Sequence, residues 1–162
     1  MAAILFNAVG PCTITHKYGP YYGKVIETQT GEPVEGAYVL LAFYTEMFTF
    51  GGFVGKFVET RDATTDKNGE FRIDAYRAWA FRFPHRWRKD CLVTIYKPGF
   101  GGYSPHQIVE KKQVTEQLRR LTTYEERWNN LGFGMPISIP KEKLSKLRAL
   151  IDEERKHLGL DK

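Results

Sequence analysis

At 162 residues, 42% hydrophobic and 27% charged, the chain falls in the globular range and can bury one core of ordinary size, which excludes an intrinsically disordered protein. The formal charge of +5 favours anionic surfaces such as phospholipid, nucleic acid or acidic glycans, and it says nothing about fold. With 15 Gly, 8 Pro and 14% aromatic residues, the composition predicts short strands joined by tight turns over a helical bundle.

The chain opens on an apolar stretch, residues 2–11, that ends at Cys12 without a preceding basic residue. Two readings stay open. One is the tail of a lipoprotein signal, with Cys12 acylated and the true start lying upstream; Pro11 departs from the small residue usual there. The other is a cytoplasmic N-terminus. On the first reading the protein is periplasmic or associated with the outer membrane, tethered through Cys12. No segment approaches the ~20 apolar residues of a membrane span. Cys12 and Cys91 form no disulfide framework, although one bond between them is open; Cys91 begins an apolar run and is expected to be buried.

Residues 21–28, β-branched and aromatic, predict the first strand, and Gly31 and Pro33 turn the chain after it. Residues 37–44 are apolar almost throughout, the pattern of a strand covered on both faces. Residues 47–57 read as a loop with an unusual aromatic load, Phe48, Phe50, Phe53 and Phe57. These rings either cap an open end of the domain or form an exposed contact patch. A strand over 58–65, the turn Asp66-Lys67-Asn68-Gly69 and a strand over 70–73 predict a hairpin, Asn-Gly being a strong signal for one.

Residues 76–90 are aromatic and basic together, 91–96 predict a strand stopped by Lys97-Pro98-Gly99, and a last edge strand lies between 109 and 118. Thr123 and Glu126 have capping-box spacing before a short helix over 124–131. Pro140 opens a second helix, with Leu144, Leu147, Leu150, Ile151 and Leu158 on one face and Gly159 at its end. That face needs a cover, most simply the outside of the β-structure.

Gly23-Lys24-Val25-Ile26, residues 30–37 (Thr-Gly-Glu-Pro-Val-Glu-Gly-Ala), residues 65–73 (Thr-Asp-Lys-Asn-Gly-Glu-Phe-Arg-Ile) and Ile95-Tyr96-Lys97-Pro98-Gly99-Phe100 together resemble the carboxypeptidase regulatory-like domain. The resemblance spans about residues 20–118. It implies a mainly β, transthyretin-like Greek-key sandwich of about seven strands, to which the two short C-terminal α-helices are added. The organisation expected is an N-terminal segment 1–18, a sandwich 19–121 and a helical extension 122–162. The resemblance further implies a folding, adhesion or binding module, and the whole chain is similar to small bacterial envelope proteins. The motif residues are structural, so function has to be read from elsewhere.

Zinc peptidase chemistry needs three converging ligands, and His16, His85, His106 and His157 are scattered with no His-Glu-x-x-His arrangement. Asp66, Asn68 and Glu70 miss the calcium-loop register, since Thr64 and Ala75 stand where ligands would be needed. Gly99-Phe100-Gly101-Gly102 lacks the dinucleotide spacing, and there is no Gly-x-Ser-x-Gly. No cofactor is expected, and no enzymatic activity. The binding candidate is the segment holding Arg77, Trp79, Arg82, His85, Arg86, Trp87 and Arg88. In an extended chain Arg77, Trp79, Phe81 and Phe83 share one face, where rings stack on sugars and guanidinium groups meet anions. The alternative sends the aromatics into the core and lays the arginines along the surface. No recognised nucleic-acid module is present. The sequence thus points to a non-catalytic binding or structural module of the bacterial envelope with a protein or glycan partner. The rival is a carbohydrate-recognition or carbohydrate-processing protein using residues 79–87, which would need acids near Trp79 or Trp87, where only Asp74 and Asp90 stand.

Overall fold

The structure, a computed structural model, describes residues 14–101, 114–131, 135, 136 and 138–160, and the backbone of 103–109. Its strands are β1 (Thr15–Tyr18), β2 (Tyr21–Glu27), β3 (Tyr38–Thr49), β4 (Gly52–Thr64), β5 (Glu70–Ile73), β6 (Tyr76–Trp79), β7 (Arg86–Trp87), β8 (Asp90–Tyr96), β9 (Tyr103–Val109) and β10 (Val114–Leu118). Helix α1 (Tyr124–Asn130) follows, then a 3₁₀ turn (Lys141–Leu144) running into α2 (Ser145–His157).

The protein is mainly β, with two sheets stacked on a shared core. One has the order β10-β2-β5, with β10 parallel and β5 antiparallel to β2. The other is antiparallel in the order β4-β3-β8-β9, and β7 pairs with β3 beyond the end of β8. A ribbon of β1 and β6 continues the β2–β5 pair past a break at Gly19-Pro20 and Asp74-Ala75.

Strand β3 explains the layering. From Tyr38 to Tyr44 every side chain is apolar or aromatic and buried. Val39, Leu41 and Phe43 point between the sheets, where they join Val25, Phe71, Val93, Ile95 and Leu118. Tyr38, Leu40, Ala42 and Tyr44 point the other way and require a second cover. Leu144, Leu147 and Ile151 of the helical extension supply it with Ile139, each fully buried aliphatic side chain worth about 1.5–3 kcal/mol. Lys143 on Glu59 (2.8 Å), Lys146 on Asp62 (2.6 Å) and Tyr44 Oη against Ser138 Oγ (2.8 Å) hold the extension in place.

The two helices are locked to each other and to the sheet by one buried carboxylate. Arg127 of α1 donates Nε to Glu154 Oε1 (2.6 Å) and Nη2 to Oε2 (2.7 Å), and the Gly99 N–H donates to Oε2 (3.0 Å). Glu154 is 1% exposed. Helix α1 begins with both halves of the Thr123–Glu126 capping box in place.

Several expectations are corrected. The Asp66–Gly69 turn does not close a hairpin: β4 pairs with β3 while β5 pairs with β2, so the turn is a corner between sheets. Gly69 leans on β2, its carbonyl accepting from Val25 N–H at 2.8 Å, and a Cβ there would lie 2.4 Å from Val25 O. Thr65 anchors the corner, donating to Val34 O (2.6 Å) and accepting from Ala37 N–H (2.8 Å). Residues 47–57, expected as a loop, are the far halves of β3 and β4. Tyr103–Val109 is a strand that the sequence pattern did not mark, and ten strands are found among the described residues where about seven were expected. Residues 15–18, grouped by sequence with the N-terminal segment, form β1 and bury Tyr18 completely. Cys91 is buried as expected, whereas Cys12 lies outside the described residues.

Two predictions follow from these contacts. Arg127→Ala strands the Glu154 carboxylate in the interior and is expected to cost about 3–5 kcal/mol in denaturant titration. Glu154→Gln, which keeps an acceptor for Gly99, is expected to cost clearly less; the reverse order would refute the assignment. Acid is the second test. Arg120 holds the Glu27 carboxyl below the usual range, and Arg119 with the Thr122 and Thr123 amides pushes Glu126 down to about 2. Both folded values lie under the ~4.3 of an unfolded glutamate, so this stabilisation is complete above that pH. It is lost as pH falls towards 2, because the unfolded chain takes up protons that the native state refuses. Melting temperature is expected to drop across that window, with a shallower slope in Glu126→Gln.

Candidate functional site

Past Ala42 the β8 pairing ends, and past Glu46 the β7 pairing ends, but the β3–β4 hairpin continues. Met47 pairs with Val54, Phe48 with Phe53 and Thr49 with Gly52, leaving Phe50 and Gly51 as the apex. These pairs carry the hairpin roughly 10 Å beyond its neighbours at 3.4 Å per residue. Alternation places Phe48 and Phe53 on one face and Met47 and Val54 on the other, so the tip is apolar on both. Phe48 is 70% exposed and meets Phe53 edge to face at 5.4 Å, while Phe50 at the apex is exposed completely. Phe57 is different: it is partly buried against the helix-side core, edge-on to Tyr44 at 6.0 Å. Among the described residues Phe48, Phe50 and Phe53 are thus exposed rather than packed over an end of the domain.

The aromatic-basic segment arrives at the same end. Strand β6 climbs towards it, residues 80–85 turn with His85 N–H donating to Arg82 O (2.6 Å), and β7 descends beside β3. Arg82 Nη1 donates to Phe57 O at 2.6 Å, which ties the turn to the hairpin base. Trp79, Phe81 and Phe83 are exposed, Trp79 to 71%, although β6 ends at Trp79 and Phe81 and Phe83 sit in the turn rather than on one extended face with it. Tyr76 and Trp87 instead pack on the core, so the buried-aromatic reading holds for those two rings only. Burial raises the Tyr76 phenol above its ordinary value.

The basic residues divide into two groups. Arg88 grips Asp90 with two bonds (2.9 and 2.8 Å), and Arg86 pairs with Glu46 at 3.1 Å while lying 5.1 Å over the Phe53 ring. With Trp87 and Lys89 these four line an open cleft of about 490 Å³. Lys17, Lys56, Arg77 and Lys89 are exposed and make no ion pair among the described residues. Lys17 and Arg77 stand directly opposite each other on the outer face of the β1–β6 ribbon, beside Trp79. Like charges in that position repel, so the ribbon pays for them in the free protein.

Ile14 completes the cluster, its carbonyl accepting from Ala80 N–H at 2.9 Å. Of the eleven large hydrophobic side chains exposed among the described residues, eight lie here: Ile14, Phe48, Phe50, Phe53, Val54, Trp79, Phe81 and Phe83. Sequence reasoning missed Ile14, Lys17 and Lys56; the alternation of residues 14–18 was the available signal for the first two, and Lys56 was hidden by reading residues 47–57 as a loop. His85 is half-buried in the turn, His16 stacks on Trp87 (5.8 Å), His157 ends α2, and the His106 side chain lies outside the description. Among the described residues no three His, Cys, Asp or Glu side chains gather to hold a metal ion, and no helix is long and apolar enough to cross a membrane. No protein-family model, curated protein or solved structure matches the chain.

Because these rings touch little of the fold, Phe50→Ser, Phe48→Ser and Trp79→Ala are each expected to leave unfolding free energy within about 0.5 kcal/mol of the parent. A loss several times larger would make the end a packed structural element.

Proposed function

We propose that this chain is a non-catalytic binding or structural module of the bacterial cell envelope, built on a transthyretin-like Greek-key sandwich of the carboxypeptidase regulatory-like kind, with the aromatic end as its contact surface. The observation that carries this reading is the gathering of eight of eleven exposed large hydrophobics at one end. A patch of that kind on a water-soluble fold marks a contact site.

The motifs behind the family resemblance support a division of labour. Gly31 and Gly69 take φ of 72° and 73° at turns, and Thr65 anchors a corner, so these residues shape the scaffold. None of the quoted motifs contributes to the aromatic end. The envelope location rests on the Cys12 reading, with the cytoplasm as its alternative.

Open rings at Trp79, Phe81 and Phe83 favour a second reading, carbohydrate recognition. Recognition is better supported than processing, since Asp74 is bound to Arg72 (2.9 Å) and Asp90 to Arg88.

Sedimentation with a washed bacterial envelope fraction tests the main reading. The parent protein is expected in the pellet, and a Phe48→Ser/Phe50→Ser variant in the supernatant. Equal pelleting of both would remove the aromatic end from the interaction. Displacement by soluble glycans, lost in Trp79→Ala, would select the carbohydrate reading instead.

A further inference from the structure

We infer that the aromatic end docks on the surface of an anionic phospholipid bilayer, with the hairpin tip entering the interface and the surrounding cations meeting lipid phosphates. The inference rests on the reading of this end as the contact surface and names its occupant.

Shape is the first argument. A protein partner laid against a sheet covers one face of a strand pair, yet Phe48 and Phe53 occupy one face of the tip, Met47 and Val54 the other, and Phe50 the apex. An element apolar all round calls for an occupant that surrounds it, as the acyl boundary of a bilayer does. Phenylalanine and tryptophan are also side chains suited to that depth.

Charge is the second. On one face the tip rings are followed by Arg86, held by Glu46 and lying over Phe53; on the other, Val54 is followed by Lys56. Lys89 lies beside Arg88 at the cleft rim, and Lys17 and Arg77 face outwards together on the ribbon next to Trp79. The nearby carboxylates, Glu46 and Asp90, are already engaged by arginines. Repulsion between Lys17 and Arg77 is relieved when both approach phosphate groups.

The backbone limits the depth. Within the hairpin the pairs from Met47–Val54 to Thr49–Gly52 satisfy inward-facing groups, and Thr49 Oγ1 donates to Gly52 O (2.8 Å). Among the described residues no further strand neighbours the outward-facing amides and carbonyls of the two tip strands. They need water or headgroups, so the tip stops at the boundary and does not span.

The test uses the full chain and protein-free vesicles of phosphatidylcholine with or without phosphatidylglycerol. Sedimentation with the phosphatidylglycerol vesicles is expected, weak with phosphatidylcholine alone, and falling as salt rises. Lys17→Gln and Arg77→Gln are expected to weaken partitioning roughly fivefold each, and Phe48→Ser/Phe50→Ser to abolish it. In Phe50→Trp the emission is expected to shift to the blue on anionic vesicles, with quenching by lipids brominated near the headgroup end of the chain. Variants are checked for parent-like melting first.

Failure to bind vesicles, or binding unchanged by the tip substitutions, overturns the inference. Self-association that the tip substitutions abolish overturns it in favour of a second copy. If the envelope fraction pellets the protein through its aromatic end while vesicles made from the extracted lipids do not, the contact-surface reading survives and the lipid assignment falls.

Discussion

The whole architecture depends on a strand that cannot tolerate water on either side. From Tyr38 to Tyr44, β3 presents apolar groups alternately to opposite faces, and a single opposing sheet covers only half of them. The three-stranded sheet covers Val39, Leu41 and Phe43; the helical extension covers Tyr38, Leu40, Ala42 and Tyr44. The extension is therefore part of the same folding unit as the sandwich. Its docking is fixed by Glu154, whose desolvation is offset by two guanidinium bonds and one amide bond.

That same strand links scaffold to surface. Beyond Glu46 its cover ends while its pairing with β4 continues, so after the polar pair Thr45-Glu46 apolar residues resume in the projecting tip. The interior half is held by packing and the outer half has no such support. The ribbon of β1 and β6 brings Trp79, Lys17 and Arg77 to the same end.

Where local chemistry dictates conformation, the sequence was legible. The capping box at Thr123, the leucine face of α2 and the doubly covered strand were all readable because each rests on neighbours within a few residues. The fate of the Asp66–Gly69 turn was not, because an interlayer corner and a hairpin use the same turn residues and differ only in which distant strand each arm meets. Tyr103–Val109 escaped because adjacent glycines and Pro105 mask its strand character. At the candidate site the alternation marked Arg77 and Trp79, which share a face of β6, but not the turn that carries Phe81 and Phe83. The splitting of the aromatics, with Tyr76 and Trp87 partly buried against the core and the others exposed, depended on β7 pairing with β3 and could not be seen locally.

The parallel partnership of β10 with β2 has a consequence for biosynthesis. Gly23 meets Val114, which leaves the ribosome roughly ninety residues later, and the contact is tight enough that a Cβ at Gly23 would sit 2.4 Å from Val114 O. Throughout elongation the edge of β2 awaiting that partner stays unzipped, an invitation to pairing with other nascent chains. Lys24 and Glu27, a cation and an anion on this same short strand, place charge beside that vacant edge until Val114–Leu118 emerges.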